Sequence, residues 1–537
     1  MGKCAVLCVV LLGCAVAQPT PDPLAEGIAL LRKGDPEHAL GLLRRAVELK
    51  PDSAPAHNYY GFALGQGGAV DQAIEEFRKA LKIDPRYPDA LYNLGAALTI
   101  QNQYTAAIQN LQAAVALRPD FPEAYFQLAN ALTERGELAD AIVALQKAIR
   151  SKPAMAQAHT QLALLYSRTG DTQGAVSEFR RSAALQPRSA EAHNNLGVAL
   201  DQAGDLAGAI EEFQRALASD AKFVPGILNL AQAMRDQGNL PAAIENYRKA
   251  LAIDPRSAAA HADLGFTLKR SDRLKEALEE LSVALRIAPD VARTHFYMAE
   301  VLTQMGDSAG AMKQYERAAR LSPRDVEFRL KYGILLAQKS PKEGAIELRE
   351  AARLDPNSSE VLSALGAALR RAGDTQEAGE VFQRSREASA IAARRSEARL
   401  ETNKAIDLLK KGQIAEAIEA LRTALMAEPD FADANQYMGI ACSAEKKWLE
   451  ANRAFNAAVQ ASPGNPEIHF NFGVSLEKQG DWAGAAREFE KVVSLRPGQA
   501  QAACQMAGAL LRAGEPDRAR TALQRAKELG PCNVSQL

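Results

Sequence analysis

Apolar residues recur three and four positions apart along most of this chain, in stretches that come in pairs. Each stretch predicts an amphipathic helix, and turn signals such as Gly204-Asp205 separate the two members of a pair. A proline closes most pairs, because a helix interior needs the amide that proline lacks. These prolines recur at one regular interval, with few exceptions: Pro51, Pro85, Pro119, Pro153, Pro187, Pro255, Pro289, Pro323, Pro429, Pro463, Pro497 and Pro531. The pattern therefore predicts an all-α chain of repeated helix-turn-helix units.

Further positions of this period are restricted to one size of side chain. We number each unit from the third residue after its proline, so that Ala54 is position 1 of its unit. Position 8 is small, position 20 is alanine and position 24 is large, as in Gly197, Ala209 and Phe213 of one unit. The small residues let two helices approach closely, and the large residue fills the space beside them.

These repeated positions resemble the tetratricopeptide repeat, a helix-turn-helix unit of about 34 residues. About fifteen such units start at Thr20 and continue to Asn533. The resemblance implies an α-α superhelix, a solenoid in which the first helix of each unit lines a concave groove. A solenoid needs no single large core, and no stretch of this sequence remains for a separate catalytic domain.

The period is interrupted once, after Pro356. Pro429 follows Pro356 at a greater distance than two periods require, and the segment 380–411 lacks both proline and glycine. Its Ala, Arg, Glu and Leu content favours helix, so we predict one fused helix over 380–411 rather than a flexible linker. This helix would join a first block of about eleven repeats, 20–392, to a second block of about four, 398–533.

The first residues do not follow the repeat. Lys3 precedes an apolar run over residues 4–12, and Ala15-Val16-Ala17 has the small-x-small form of a signal-peptidase site. The run is too short for a membrane span, which takes about 20 apolar residues. We predict a signal peptide over residues 1–17, and export into the periplasm or out of the cell. The alternative is a bacterial lipobox ending at Cys14, whose lipidation would anchor the exported chain.

Charge and motifs exclude several classes of function. The chain has 64 basic and 65 acidic residues and a net charge of -1, whereas nucleic-acid binders usually carry a basic excess. No phosphate-binding glycine loop, G-x-S-x-G, His-Glu-x-x-His or Cys-x-x-Cys motif is present. We therefore predict a protein that is not an enzyme, uses no cofactor, binds no nucleic acid and has no integral membrane span.

Other polar residues fit structural roles in the predicted repeat. Acidic pairs on second helices, such as Glu75-Glu76 and Glu211-Glu212, are expected to be solvated, and so is Lys269-Arg270. Cys504 and Cys532 belong to the same last unit, and their spacing leaves open whether they pair. Equivalent positions of neighbouring units should lie roughly 10 Å apart, too far to share a metal ion, so we predict that the position 4 histidines pack and bind no metal. They are His57, His159, His193, His261, His295 and His469.

Position 6 carries mostly amide side chains in six successive units: Asn93, Gln127, Gln161, Asn195, Asn229 and Asp263. In the family this position faces the groove, and the series resembles the amides inside the superhelix of the O-linked N-acetylglucosamine transferase family. Amides donate and accept hydrogen bonds, so they can hold a peptide backbone of any sequence. Asparagine here also belongs to the generic repeat pattern, which is the structural alternative. Exposed aromatic residues at position 5 would add apolar contacts: Tyr92, Phe126 and Phe296.

The function expected from these features is a non-enzymatic scaffold that binds partner proteins or extended peptides in its groove. One alternative is a lipid-anchored assembly factor of an envelope machine, such as polysaccharide export or pilus biogenesis. The other alternative is a regulatory subunit of an enzyme.

Overall fold

The computed structural model describes residues 22–529 and Cys532. The predicted signal peptide, 1–17, and the lipidation candidate Cys14 lie outside these residues. Within them the chain forms 29 helices and no strand. The chain divides into two compact units, one ending at Pro153 and the other starting at Ala154.

The first compact unit contains four helix pairs. Their bounds are α1 (Pro23–Arg32), α2 (Pro36–Leu49), α3 (Ala54–Gln66), α4 (Val70–Ile83), α5 (Pro88–Ile100), α6 (Tyr104–Leu117), α7 (Pro122–Arg135) and α8 (Leu138–Ser151).

The second compact unit continues the same helix-turn-helix pattern. Its helices up to the long one are α9 (Ala156–Arg168), α10 (Thr172–Leu185), α11 (Ala190–Gln202), α12 (Leu206–Ser219), α13 (Val224–Asp236), α14 (Leu240–Ile253), α15 (Ala258–Arg270), α16 (Leu274–Ile287), α17 (Ala292–Gln304), α18 (Ser308–Leu321), α19 (Val326–Lys339), α20 (Pro341–Leu354), α21 (Ser359–Ala372) and α22 (Thr375–Lys410). It ends with α23 (Ile414–Ala427), α24 (Ala432–Ala444), α25 (Trp448–Ala461), α26 (Pro466–Gln479), α27 (Trp482–Leu495), α28 (Ala500–Arg512) and α29 (Pro516–Leu529).

The turn inside each pair is set by local chemistry. Gly204, between α11 and α12, has a φ of 84°, a left-handed conformation that glycine adopts without strain. The next residue, Asp205, caps α12, because its Oδ1 accepts a hydrogen bond from the Gly208 amide at 2.9 Å. The predicted turn signal therefore acts as a helix stop followed by a helix start.

The three restricted positions of the repeat meet in the core of each pair. Ala209 is 0% and Phe213 is 2% exposed. A Cβ atom on Gly197 would lie 2.6 Å from the Phe213 ring, which is closer than carbon atoms can pack. The absence of a side chain at position 8 therefore lets the ring at position 24 lie directly against the backbone of α11. This confirms the packing predicted from the sequence.

The helix α22 runs unbroken for 36 residues, about 54 Å at 1.5 Å per residue. Its two ends are packed, through Ala378 and Val381 on one side and Ala398 and Ala405 on the other. Every residue from 389 to 397 is exposed. The division into two repeat blocks at this helix stays a prediction, and the boundary between the compact units lies elsewhere, after Pro153.

The last repeat carries a disulfide bond. Cys504 on α28 is linked to Cys532 beyond α29, closing a loop across a sequence separation of 28 residues. Such a crosslink stabilises the fold by about 3–4 kcal/mol, mainly through the unfolded state. The free thiol of Cys442 is buried, and burial raises its pKa.

The described helices were compared with membrane spans by their length and mean hydropathy. None of the described helices combines the length and the apolar character that crossing a bilayer requires.

Candidate peptide-binding groove

The first helices of neighbouring repeats lie against each other within each compact unit. This holds for α3 with α5 in the first unit and for α11 with α13 and α15 with α17 in the second. Successive second helices make no comparable contact in the described part of the chain. Each unit therefore curves with its first helices on the inside, and we call their accessible side the inner face.

Two of the predicted groove amides join neighbouring first helices. Asn93 Nδ2 donates to Asn58 Oδ1 at 2.9 Å, and Asn229 Nδ2 donates to Asn194 Oδ1 at 2.9 Å. In both pairs a position 6 amide meets the position 5 asparagine of the preceding repeat. Each of these position 6 side chains therefore has a structural hydrogen bond that the sequence reasoning did not assign.

Gln161 on α9 and Asn195 on α11 differ from these two. Both are half-buried, and neither has a hydrogen bond or ionic partner among the described residues. Gln127 on α7 accepts only a long contact of 3.5 Å from Asn130. Because a side-chain amide has two donor hydrogens and an acceptor oxygen, Gln161 and Asn195 offer complete hydrogen-bonding groups to a ligand.

The three aromatic residues predicted for the groove also differ in their surroundings. Phe296 is 2% exposed and its ring stacks 4.8 Å from that of Phe328. Phe296 therefore belongs to the core, and its assignment to the groove is wrong. The ring packs against aromatic neighbours between the helices. Tyr92 is half-buried, packs 5.0 Å from Phe121 and has a pKa raised by burial. Phe126 is half-buried on α7 and stays a candidate.

The sequence reasoning missed a cluster of aromatic and charged residues on α13, α15 and α17. Phe266 stacks on Tyr297 with ring centroids 4.5 Å apart. The Arg235 guanidinium lies 5.3 Å and the Lys269 ammonium 4.9 Å from the Phe266 centroid, distances at which cation–π attraction acts. Lys269 also pairs with Glu300 at 2.8 Å. The prediction that Lys269 is simply solvated is therefore wrong. The available signal was Phe266 at position 9, with basic residues at position 12 of its own repeat and the preceding one.

Asp263 belongs to this cluster rather than to the series of free amides. Burial raises the pKa of its carboxyl group, and the nearby Arg235, 3.6 Å away, opposes that rise. Arg235 also donates to the Tyr247 hydroxyl at 3.3 Å. The inner face thus changes along the second unit from uncharged amides on α9 and α11 to paired charges and rings on α13 to α17.

The position 4 histidines pair with the second helix of their own repeat. In five repeats Nδ1 lies 2.5–2.7 Å from a glutamate Oε2 that is 19 residues later. In the sixth, His295 Nδ1 lies 2.7 Å from Gln314 Oε1. The five pairs, which we call His–Glu clamps, are His57–Glu76, His159–Glu178, His193–Glu212, His261–Glu280 and His469–Glu488. Each clamp joins the two helices of one repeat.

The acidic pairs on the second helices were expected to be solvated, and the clamps show that this prediction is wrong for one residue of each pair. Glu76 and Glu212 are each 7% exposed, so the second residue of both pairs is buried and not solvated. The histidine draws it inward, since a buried carboxylate needs a hydrogen-bonding partner. The constant spacing between histidine and glutamate was visible in the sequence and would have indicated the contact. No three His, Cys, Asp or Glu side chains of the described residues lie close enough to hold a metal ion.

This geometry defines a class of protein: an α-helical repeat solenoid with an accessible inner face. Models described as tetratricopeptide repeat match residues 160–222, 263–392, 402–466 and 476–531. A model described as TPR repeat matches 66–99, 97–132, 129–170 and 231–272. The chain belongs to the tetratricopeptide repeat family, whose members are generally non-catalytic scaffolds for protein interactions.

Solved structures of the family resemble parts of this chain. MamA from Desulfovibrio magneticus RS-1 is 30% identical, with 31% of this chain and 93% of MamA covered and a TM-score of 0.29. PilF of Pseudomonas aeruginosa is 25% identical, with 38% and 94% covered and a TM-score of 0.35. YrrB, described as a TPR protein with an unusual peptide-binding site, is 19% identical, with 34% and 95% covered and a TM-score of 0.31. No curated protein matches the chain.

Proposed function

We propose that this scaffold binds extended peptide segments of partner proteins along the inner face of α9, α11 and α13. The observation that carries the proposal is the pair of amides without partners among the described residues, Gln161 and Asn195, at equivalent positions of adjacent repeats. Water can reach these half-buried amides in the free protein, and a ligand that takes the place of this water must supply hydrogen bonds to them. A peptide backbone supplies both the donors and the acceptors that they lack.

The repeat spacing suits an extended ligand. Packed neighbouring helices lie about 8–10 Å apart, and an extended peptide advances about 3.3 Å per residue. Amides in adjacent repeats would therefore meet the backbone at every third residue. Since backbone groups are the same in every residue, these contacts hold an extended peptide without selecting its sequence.

Apolar contacts would come from the same face of the same helices. Leu164, one turn after Gln161, is 43% exposed, and Val198, one turn after Asn195, is half-buried. Residues three apart on a helix share a face. A peptide held by the two amides would thus place apolar side chains against Leu164 and Val198. We expect the ligand to be an uncharged, partly apolar segment.

The test is peptide binding by a double variant, Gln161→Ala with Asn195→Ala. A random-sequence peptide library displayed on phage is selected on the full chain, and the affinity of a selected peptide is measured by calorimetry. Each lost hydrogen bond weakens binding by about 0.5–1.5 kcal/mol. We therefore expect the double variant to bind about 5- to 150-fold more weakly.

The matched control removes amides from the second helices of the same two repeats. Gln173 on α10 and Gln214 on α12 are both exposed, so the pair Gln173→Ala and Gln214→Ala should leave the affinity unchanged. Equal affinity of the Gln161/Asn195 variant and the wild type would contradict the proposal. An equal loss in both double variants would contradict it as well.

We also propose that the chain acts outside the cytoplasm. Two observations support this: the apolar run over residues 4–12 followed by Ala15-Val16-Ala17, and the disulfide between Cys504 and Cys532. Disulfides persist in oxidising compartments and are rare in the cytosol. The scaffold would then bind its partners in the periplasm or beyond.

Mass spectrometry of the protein recovered from the envelope fraction tests export. We expect a chain that starts at Gln18 and in which Cys504 and Cys532 react with an alkylating reagent only after reduction. A chain starting at a lipidated Cys14 would support the anchored form instead. An unprocessed chain starting at Met1 with free thiols would contradict export.

A further inference from the structure

Glu477 on α26 is an acidic residue of the inner face that has no partner of opposite charge. It is half-buried and occupies position 12 of its repeat. No ion pair or hydrogen bond joins its carboxylate to another described residue. Burial raises the pKa of this carboxyl group, and the more distant charge of Arg512 opposes the rise. A cation beside Glu477 would stabilise the charged form that burial disfavours.

The following repeat explains why this carboxylate has no partner. Elsewhere on the inner face a charge at position 12 lies beside an opposite charge at position 6 or 9 of the following repeat. After Glu477 these two positions hold Gln505 and Gly508. Glutamine carries no charge and glycine has no side chain, so neither residue can form an ion pair with Glu477. The pairs formed elsewhere are Arg235 with Asp263 and Lys269 with Glu300.

Two cations lie near Glu477, and neither of them pairs with it. The Arg512 guanidinium lies 4.5 Å from the centroid of the Trp482 ring, a distance at which cation–π attraction acts. Lys478 follows Glu477 directly and is exposed, but consecutive residues of a helix do not face each other. The described part of the chain therefore supplies no cation to this carboxylate.

Apolar side chains lie on the same face of α26. Phe470 and Val474 precede Glu477 at helical spacing, and both are half-buried against the core cluster of these last repeats. Leu511, at position 12 of the last repeat, is 55% exposed. A lysine or arginine side chain can lay its apolar stem along such residues while its charged end reaches a carboxylate.

The position of Glu477 within its helix also favours a cation. Glu477 lies in the last turn of α26, which ends at Gln479. The C-terminal end of a helix carries a partial negative charge, so it repels a carboxylate and attracts a cation. The free protein therefore holds this carboxylate at some cost in stability.

We propose that the inner face at α26 and α28 binds a lysine or arginine side chain of a partner peptide, with the Glu477 carboxylate as its ion-pairing group. Gln505 on α28 is half-buried and has no hydrogen bond to a described residue, so its amide can hold the backbone beside the basic residue. The site goes beyond the peptide binding proposed for α9 to α13, because it selects the charge of the ligand.

The test compares the peptides that the full chain and its Glu477→Gln variant select from a random-sequence phage library. We expect the wild type alone to select peptides in which lysine or arginine adjoins an apolar residue. One such peptide, and its version with glutamine in place of the basic residue, are then measured by calorimetry with both proteins. Each single change should weaken binding about 10- to 150-fold, because a hydrogen bond between charged groups is lost.

The two changes should not add, because both remove the same contact. We expect the neutral peptide to bind the variant about as weakly as either single change does. Equal basic content in the two selected pools, or a combined loss equal to the product of the single losses, would overturn the proposal.

Two further variants serve as controls for charge and for the other groove. Glu450→Gln on α25 removes the same charge from an exposed residue and should leave the affinity for the basic peptide unchanged. The double variant Gln161→Ala with Asn195→Ala should also bind this peptide as the wild type does, so that the two binding proposals can fail separately. A loss in either control equal to that of Glu477→Gln would overturn the assignment of the site.

The stability of the variant separates a binding role from a structural one. Because Glu477→Gln removes a negative charge from the negative end of α26, we expect amides of α26 to exchange about two- to fivefold more slowly without peptide. Hydrogen exchange followed by mass spectrometry measures this. Faster exchange of α26 in the variant would show that the carboxylate stabilises the repeat, and it would overturn the proposal.

Discussion

Replacing Phe213 by alanine is expected to lower the local free energy of unfolding of α11 and α12 by about 3–5 kcal/mol. The ring is 2% exposed and lies in a cluster with Leu196, Leu200 and Leu230 of the adjoining first helices. Its removal would leave a cavity, because the backbones of α11 and α12 are already held in contact by Gly197 and Ala209. The substitution also removes the apolar contact between Phe213 and Leu230 of the next repeat.

In a solenoid this loss should stay local. Each repeat contacts only its neighbours, so the effect should fade within one or two repeats. Hydrogen exchange followed by mass spectrometry measures this directly, since amides in α11–α14 should exchange at least about a hundredfold faster. The control is Gln214→Ala on the next, exposed residue, which should change little. Unchanged exchange in α11 and α12, or a uniform increase over the whole chain, would contradict the prediction.

The second large effect is expected for Ala392→Pro in α22. Proline removes a helical hydrogen bond and clashes with the preceding turn, a destabilisation of about 3 kcal/mol or more. Residues 389–397 are exposed all round the helix, so no packed neighbour can hold this turn in place. We therefore expect the substitution to create a flexible joint between the packed ends of α22.

Electron spin distance measurements between labels at Gln376 and Lys404 would show the joint. Both positions are exposed, and the helical rise places their Cα atoms about 42 Å apart. We expect a narrow distance distribution in the labelled parent and in the control Ala392→Gln. The proline variant should give a broad distribution with shorter distances. A narrow distribution at the parent distance in the proline variant would show that the helix survives.

The fold could be predicted almost completely from the sequence, because each structural rule recurs in many repeats. A single small residue such as Gly197 proves nothing, but the same size at the same position in successive units indicates close helix packing. The long helix was predictable from the single interruption of the period, because glycine and proline are absent from that segment. Its observed bounds, Thr375–Lys410, include residues before the predicted start at 380.

The groove was less predictable, because position in the repeat does not decide what a side chain contacts. Asn195 and Asn229 occupy the same position of adjacent units, yet of the two only Asn229 bonds to a described neighbour, because Asn194 precedes it by one repeat. Phe296 was assigned to the groove from its position, and its aromatic neighbours place it in the core. Whether a side chain bonds to a neighbour or packs in the core depends on a second residue about one repeat away. A rule based only on the position within the repeat does not include that second residue.

The sequence by itself determined the repeat and the helix pairs, because these follow from the spacing of apolar and small residues, while the resemblance to the family indicated which helices line the groove. Only the tertiary structure decided which polar side chains form hydrogen bonds with each other. Glu76 was expected in water and lies buried against His57, while Gln161 has no protein partner in the described residues. The physical reason is that hydrophobic burial depends on the pattern of residue types, whereas a hydrogen bond depends on two particular atoms meeting at about 3 Å.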